Sequence, residues 1–111
     1  MYQPDAVPEV MSSELSAGAY LLDVREDEEW AAGHAPGAVH VPLGELGERF
    51  GELPRDREVY VICRIGQRSA YAARALDGAG LNAINVADGM TGWAAAGRPM
   101  TSEDGAEPYV A

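Results

Sequence analysis

The sequence predicts a single α/β domain, a mostly parallel sheet flanked by helices on both faces. Short apolar segments rich in β-branched residues alternate along the chain with segments of helical composition. This alternation is typical of βαβ units. The 111 residues suit one domain, and an apolar content of 47% is enough for one hydrophobic core.

The predicted strands are brief and are bounded by turn residues. Four are clear and a fifth, the first along the chain, is weaker: Tyr20–Val24, Ala38–Val41, Val59–Ile62, Ile84–Ala87 and, as the weaker one, Val7–Val10. The segments between them predict helices over Ser12–Ala17, Asp27–Ala32, Leu43–Phe50, Ser69–Ala79 and Thr91–Ala96. The Ser69 helix is the strongest, because serine is a good N-cap and Ala72, Ala73 and Leu76 form an apolar stripe.

Composition excludes several classes of protein. The net charge is −10, with 18 acids against 8 basic residues, all arginine, so nucleic acid and anionic membranes are not default partners. One cysteine cannot form an internal disulfide. The first ten residues, MYQPDAVPEV, lack both the basic start and the apolar run of a signal peptide. No segment approaches the roughly 20 apolar residues that span a bilayer, and the sequence predicts a protein of the reducing cytoplasm.

The chemistry is concentrated around Cys63. It follows an apolar strand and precedes a Gly-containing loop and a helix, so the thiol lies at the carboxyl end of a parallel strand, where α/β sheets bind ligands. Loop N–H groups, the helix dipole, Arg64 and Arg68 all favour a thiolate. The alternative is an inert core cysteine. The Arg, Gly, Arg and Ser that follow within six residues favour a functional thiol, because core packing does not require them.

Four ordered blocks of sequence carry a family resemblance. Cys63-Arg64-Ile65-Gly66-Gln67-Arg68-Ser69 resembles the active-site loop of rhodanese domains, Cys-Arg-x-Gly-x-Arg followed by Ser or Thr. The other blocks are Leu21–Arg25 (LLDVR), Glu29–Pro42 with its Glu-Trp, Gly-His-x-x-Gly-Ala and Val-Pro elements, and Gly89–Pro99 with its Gly-x-x-Gly-Trp and Gly-x-Pro elements. The resemblance runs from about Val10 to Met100. We therefore expect a rhodanese domain over residues 8–100 and a loosely held acidic tail over residues 101–111.

The resemblance implies a five-stranded parallel sheet and a sulfurtransferase that works through a Cys63 persulfide. The expected donor is a small sulfane compound such as thiosulfate, and the expected acceptor is cyanide or a thiol. A sulfur-relay protein is a further candidate partner, and no cofactor or metal is required. Loop residues 64–69 are the expected substrate-binding residues, with Arg64 steering the donor and Arg68 bracing the loop.

Two rival functions remain open. A cysteine phosphatase or arsenate reductase also holds a thiolate beside an arginine, but such loops enclose five residues, whereas four lie between Cys63 and Arg68. A non-catalytic docking module of the same fold typically lacks the cysteine or alters the loop. Three positions depart from the family pattern and leave the donor preference open: Ile65, Gln67 and Asp88, the last standing where the family usually has glycine.

The remaining polar residues have simpler interpretations. Asp23 and Arg25, at a strand end, are predicted to form structural hydrogen bonds or an ion pair near the site. His34 and His40 have no partners at metal-ligand spacing, which favours turn hydrogen bonds. The acidic run 26–29 is predicted to be the first turn of a helix, or a docking patch for a basic partner. Four aromatic residues are predicted to pack in the core or between helix and sheet: Trp30, Phe50, Tyr71 and Trp93.

Overall fold

The computed structural model describes residues 6–111. Residues 1–5, half of the amino-terminal segment for which no signal peptide is predicted, lie outside the described residues. Five strands form one sheet in the order β1-β5-β4-β2-β3, and every pairing between them is parallel. The strands are β1 Glu9–Val10, β2 Tyr20–Asp23, β3 Val39–His40, β4 Glu58–Ile62 and β5 Asn82–Val86. The predicted fold class is confirmed.

Four α-helices connect or follow the strands within the described residues. They are α1 Asp27–Ala32, α2 Leu46–Arg49, α3 Gln67–Gly78 and α4 Gly89–Ala95. Single 3₁₀ turns flank α2 at Leu43–Glu45 and Phe50–Glu52. Within residues 6–111, no helix combines the length and the hydropathy that crossing a membrane requires.

The largest departure from the predicted elements is at Ser12–Ala17. Only Ser12–Glu14 forms a 3₁₀ turn. The amide and the hydroxyl of Ser12 both donate to the Asp88 carboxylate at 2.8 Å, which fixes the turn to the start of α4. The outer strands are also shorter than predicted, at two residues each, because they pair on one side only.

The sheet is covered on both faces by separate apolar clusters. On one face, α2 and α3 contribute Leu46, Ala72, Ala73 and Leu76 to a cluster that includes Val59 and Val61 of β4. On the other face, Met90 and Trp93 of α4 pack with Leu21 and Ile62 and with Leu15 from the 3₁₀ region. The stripe predicted for α3 is therefore its buried face.

The prediction of a loosely held tail is wrong. The backbones of Thr101 and His34 exchange two hydrogen bonds of 2.9 Å in an isolated antiparallel bridge. Further along, the Glu103 amide donates to Ala31 and the Tyr109 amide to Ala32. The tail thus lies along α1, held by backbone hydrogen bonds that its polar composition does not indicate. The domain limits at residues 8 and 100 stay a prediction.

Candidate active site

The only cysteine occupies the end of an interior strand. Cys63 directly follows β4, which lies between β2 and β5 in the sheet. Cys63 is only 1% exposed. The chain then turns through residues 64–66 and enters α3 at Gln67. The thiol therefore lies between the carboxyl edge of the sheet and the amino end of a twelve-residue helix.

Three donors surround the sulfur atom of Cys63. The Gly66 amide lies 3.1 Å from Sγ, the Ser69 amide 3.4 Å and the Ser69 hydroxyl 3.3 Å. Burial raises the pKa of the Cys63 thiol, but hydrogen bonds from these three donors, with a smaller contribution from the Ile65 amide, outweigh it. The net pKa lies below the ordinary value of 9.0, because these donors stabilise the thiolate.

The start of α3 explains why two of these donors point at sulfur. Gly66, not Ser69, is the N-cap, so the predicted cap residue is wrong. An N-cap side chain normally accepts the amide of the third helical residue. Gly66 has no side chain, and Cys63 Sγ takes that amide, from Ser69, instead. The sulfur atom thus occupies the place of a capping oxygen, and the Ser69 hydroxyl is freed to donate to it.

The loop around the thiol rests on the turn between β5 and α4. Gly66 has φ +96°, and a Cβ on it would lie 2.1 Å from the Ala87 carbonyl oxygen, so only glycine fits there. The Met90 amide donates to the Cys63 carbonyl at 2.8 Å. The Asn85 side chain donates to the Gly66 carbonyl at 3.2 Å. These contacts fix the backbone of the loop, and no local sequence pattern indicates the role of Asn85.

The side chains of the loop divide into exposed and anchored groups. Arg64, Ile65 and Gln67 are exposed, with Ile65 at 51%. Gly66 and Ser69 are buried. Asp88, whose carboxylate is held by Ser12, is directed to the 3₁₀ turn. Of the three departures from the family pattern, Ile65 and Gln67 therefore present side chains at the surface of the loop.

Arg68 is anchored to α1. Its two terminal nitrogens donate to the two carboxylate oxygens of Glu29 at 2.7 and 2.8 Å. The hydrogen bond from Arg68 lowers the pKa of Glu29 to about 2, against a smaller opposing effect of burial. Glu29 also accepts the Glu26 amide in the first turn of α1. One carboxylate therefore joins the amino ends of α1 and α3, a role that the acidic run alone did not reveal.

Asp23 and Arg25 form a buried ion pair beside the site. Both side chains are 0% exposed, and the Arg25 terminal nitrogen lies 2.8 Å from Asp23 Oδ2. The same nitrogen donates to the Gly33 carbonyl at 2.8 Å. Asp23 pairs with Ile62, the residue before the cysteine, in the sheet register. The described contacts of this pair are with each other and with backbone, and none is with Sγ.

The two histidines stack on opposite sides of one aromatic ring. The His34 and His40 rings lie 3.5 and 4.6 Å from the Trp30 ring centroid and are almost parallel to it. A ring nitrogen of His34 lies 2.8 Å from the Trp30 carbonyl oxygen, and one of His40 lies 2.8 Å from that of Arg25. Both histidines thus hydrogen-bond to backbone as predicted. Tyr71, predicted to be packed, is 62% exposed.

Comparison with known proteins gives a family match over most of the chain. The family model described as Rhodanese-like domain matches residues 7–96. The solved structure of a rhodanese-related protein from Thermoplasma volcanium superposes with a TM-score of 0.82 at 33% identity, covering 86% of this chain and 99% of that one. A rhodanese-like domain protein from Staphylococcus aureus gives a TM-score of 0.75 at 30% identity, covering 78% and 91%.

Curated relatives carry names that refer to sulfur. "Putative sulfurtransferase YtwF" of Bacillus subtilis is 44% identical over 80 residues, which cover 72% of this chain and 78% of that protein. A protein named "Sulfurtransferase" from Allochromatium vinosum is 35% identical over 86 residues, covering 77% and 80%. "Putative sulfur carrier protein YrkF" of Bacillus subtilis is 49% identical over 74 residues, covering 66% of this chain. The chain spans only 40% of YrkF.

Proposed function

We propose that this chain, which belongs to the rhodanese family, transfers sulfane sulfur through a persulfide on Cys63. The names of its relatives support rhodanese-type sulfur transfer in general. The observation that supports the Cys63 persulfide mechanism is that three hydrogen-bond donors contact a single buried sulfur atom. They stabilise the Cys63 thiolate, which attacks the donor and is the leaving group when the acceptor takes the outer sulfur.

The proposed first half-reaction is a displacement at sulfur. The Cys63 thiolate attacks the outer sulfur of thiosulfate, a new S–S bond forms, and the bond between that sulfur and the sulfonate breaks. Sulfite leaves with the electron pair, and the cysteine carries a persulfide anion. This is covalent catalysis by a thiol with a depressed pKa.

The second half-reaction returns the cysteine to its starting state. The carbon of cyanide, or the thiolate of an acceptor, attacks the outer sulfur of the persulfide. The S–S bond to Cys63 breaks, and its electron pair returns to Sγ as the thiolate. No net oxidation or reduction of the protein occurs when cyanide is the acceptor, and thiocyanate is released.

The two arginines of the loop are proposed to act differently. Arg64 is exposed and forms no ion pair within residues 6–111, so it is available to the anionic oxygens of a donor. Arg68 is bound at both terminal nitrogens by Glu29, and it braces the loop. Arg64→Ala should therefore raise the thiosulfate KM more than it lowers kcat, whereas Arg68→Ala should lower thermal stability.

The phosphatase alternative is weaker than the sulfurtransferase proposal. A phosphoryl group needs a guanidinium free to bind two of its oxygens, and that of Arg68 is already bound to Glu29. The short loop also brings its donors onto one sulfur atom. A docking module without catalysis would need neither the lowered thiol pKa nor the donors on Sγ. We further propose a reducing cytoplasm as the location and a small sulfur compound or a sulfur-relay protein as the partner.

The proposal is tested by intact mass spectrometry. Wild-type protein treated with thiosulfate should gain one sulfur atom, and cyanide should remove it with formation of thiocyanate. Cys63→Ala, with no other thiol in the chain, should show neither change, and its melting temperature serves as the control for folding. Thiocyanate formation that survives in Cys63→Ala would overturn the proposal. If the wild-type protein hydrolyses an aryl phosphate faster than it turns over thiosulfate, the phosphatase alternative takes first place.

A further inference from the structure

We propose that the protein has a second small-molecule site, which binds an organic carboxylate with an apolar tail. It is a cavity of about 520 Å³ at the amino ends of β2 and β4. Its walls come from residues 15–21, from the turn at residues 36–39, and from Arg57, Trp93, Arg98 and Pro99. Arg57 precedes β4 and Cys63 follows it, so the strand rise separates this cavity from the thiol by about 20 Å.

The charge of the cavity is opposite to that of the whole protein. The chain has 18 acidic residues and 8 basic ones, yet the described residues that line the cavity include Arg57 and Arg98 and no Asp or Glu. Neither arginine forms an ion pair with any residue from 6 to 111. Two cations without counter-ions at one concave surface favour an anionic ligand.

Both guanidinium groups contact the wall of the cavity, that of the half-buried Arg98 more closely than that of the exposed Arg57. Arg98 lies over the Trp93 ring at 4.3 Å and donates to the Ser12 and Leu15 carbonyls at 2.6 and 3.0 Å, both through Nη1. Arg57 lies over the Tyr20 ring at 5.8 Å. It donates to the Gly18 carbonyl at 2.6 Å through Nη2. Each arginine thus keeps N–H groups that bond to no described residue, and a guanidinium fixed in one orientation matches the two oxygens of a carboxylate.

Apart from Ser16 and Tyr20, the rest of the cavity is apolar, which selects the body of the ligand. Leu15, Leu21, Val39 and Trp93 line it together with the two prolines, Pro36 and Pro99. Its volume is within the range of small-molecule sites. An inorganic anion would leave these walls in contact with water, whereas an alkyl or aryl tail covers them and gains hydrophobic free energy. The combined chemistry is that of a medium-chain or aromatic carboxylate.

The test uses octanoate as the probe and octanol as its uncharged match, with isothermal titration calorimetry on the full chain. Octanoate should bind with a Kd on the order of 1 mM, and octanol should bind more weakly. Arg57→Gln should weaken octanoate binding roughly fivefold. Arg74→Gln, an equal charge change on α3, and Arg64→Gln, at the active-site loop, should leave it unchanged.

A second measurement locates the ligand without relying on the arginine variants. In a Trp30→Phe background, Trp93 is the remaining tryptophan, so its fluorescence should change as octanoate binds and remain unchanged with acetate at the same concentration. Equal binding of octanol and octanoate would overturn the proposal, as would equal weakening by Arg57→Gln and Arg74→Gln. Binding lost in Arg64→Gln would assign the anion to the active-site loop and would equally overturn it.

Discussion

Removing the Ser69 hydroxyl should raise the pKa of the Cys63 thiol. Ser69→Ala deletes the donor 3.3 Å from Sγ and leaves the amides of Gly66 and Ser69 in place. Ser69 is 0% exposed, so water does not replace the lost group. A hydrogen bond to a charged group contributes about 1.5–3 kcal/mol, and its lower limit corresponds to roughly one pKa unit.

The assay is the ultraviolet absorbance of the thiolate as a function of pH. Cys63 is 1% exposed, and absorbance reports ionisation without a reagent having to reach the sulfur. Subtracting the titration of Cys63→Ala removes the tyrosine signal, because it lacks only the thiol. At a pH at least about one unit below the wild-type pKa, Ser69→Ala should show a thiolate fraction roughly tenfold smaller.

Two further variants separate this effect from general loosening of the fold. Ser69→Thr keeps a hydroxyl and should restore most of the wild-type titration. Ser12→Ala removes another fully buried serine hydroxyl, one bound to Asp88 and not to sulfur, and should leave the thiol pKa unchanged. An unchanged titration in Ser69→Ala would refute the reasoning, and so would an equal shift in Ser12→Ala.

Two predictions concern the supports of the site. Gly66→Ala should lower the free energy of unfolding by more than about 2 kcal/mol, because a Cβ there meets a carbonyl oxygen at 2.1 Å. The control is Gly37→Ala, which has a similar φ of +79° and nothing within 4 Å of the added Cβ. It should lower the free energy measured by urea unfolding by only about 1 kcal/mol. Glu29 has its pKa lowered from 4.5 to about 2, so the Arg68 pair adds stability above pH 4.5 and loses it as the pH falls towards 2. The pair contributes about 1 kcal/mol to the free energy of unfolding after solvent screening. Glu29→Gln should therefore reduce the dependence of that free energy on pH in this range, whereas Glu28→Gln should not. Equal pH dependence in the two variants would contradict a stabilising role for the pair.

The sheet could be predicted from sequence because its signals are local. Apolar β-branched runs mark the interior strands, and the run before Cys63 becomes β4 with one residue added at its start. The place of the thiol at the carboxyl ends of the strands follows from that strand alone. The lengths of the two edge strands were overestimated: β5 has five residues and β2 has four, but only two residues of each pair with the neighbouring edge strand. That information lies in tertiary pairing and not in the strand's own residues.

The finer chemistry of the site depends on contacts between distant parts of the chain. The residue type of Ser69 predicts an N-cap, whose side chain would accept a helix amide. In the structure Ser69 is instead a donor, because its amide donates to the sulfur atom of Cys63. Glu29 meets Arg68 across 39 positions in sequence. The tail was predicted to be loose from its polarity, although backbone groups, which every sequence has, hold it to α1. Neither residue type nor periodicity encodes such pairings.

The sulfur atom at the start of α3 makes the folding equilibrium of this protein depend on the state of one thiol. Since the fold lowers the thiol pKa below 9.0, ionisation must stabilise the fold by the same free energy. That contribution is complete above the unfolded pKa and disappears as the pH falls through the folded one. Folding and anion formation on sulfur are therefore reciprocal, and any modification that removes the negative charge from Cys63 Sγ weakens the cap of α3. The melting temperature of the chain should therefore fall when that charge is removed.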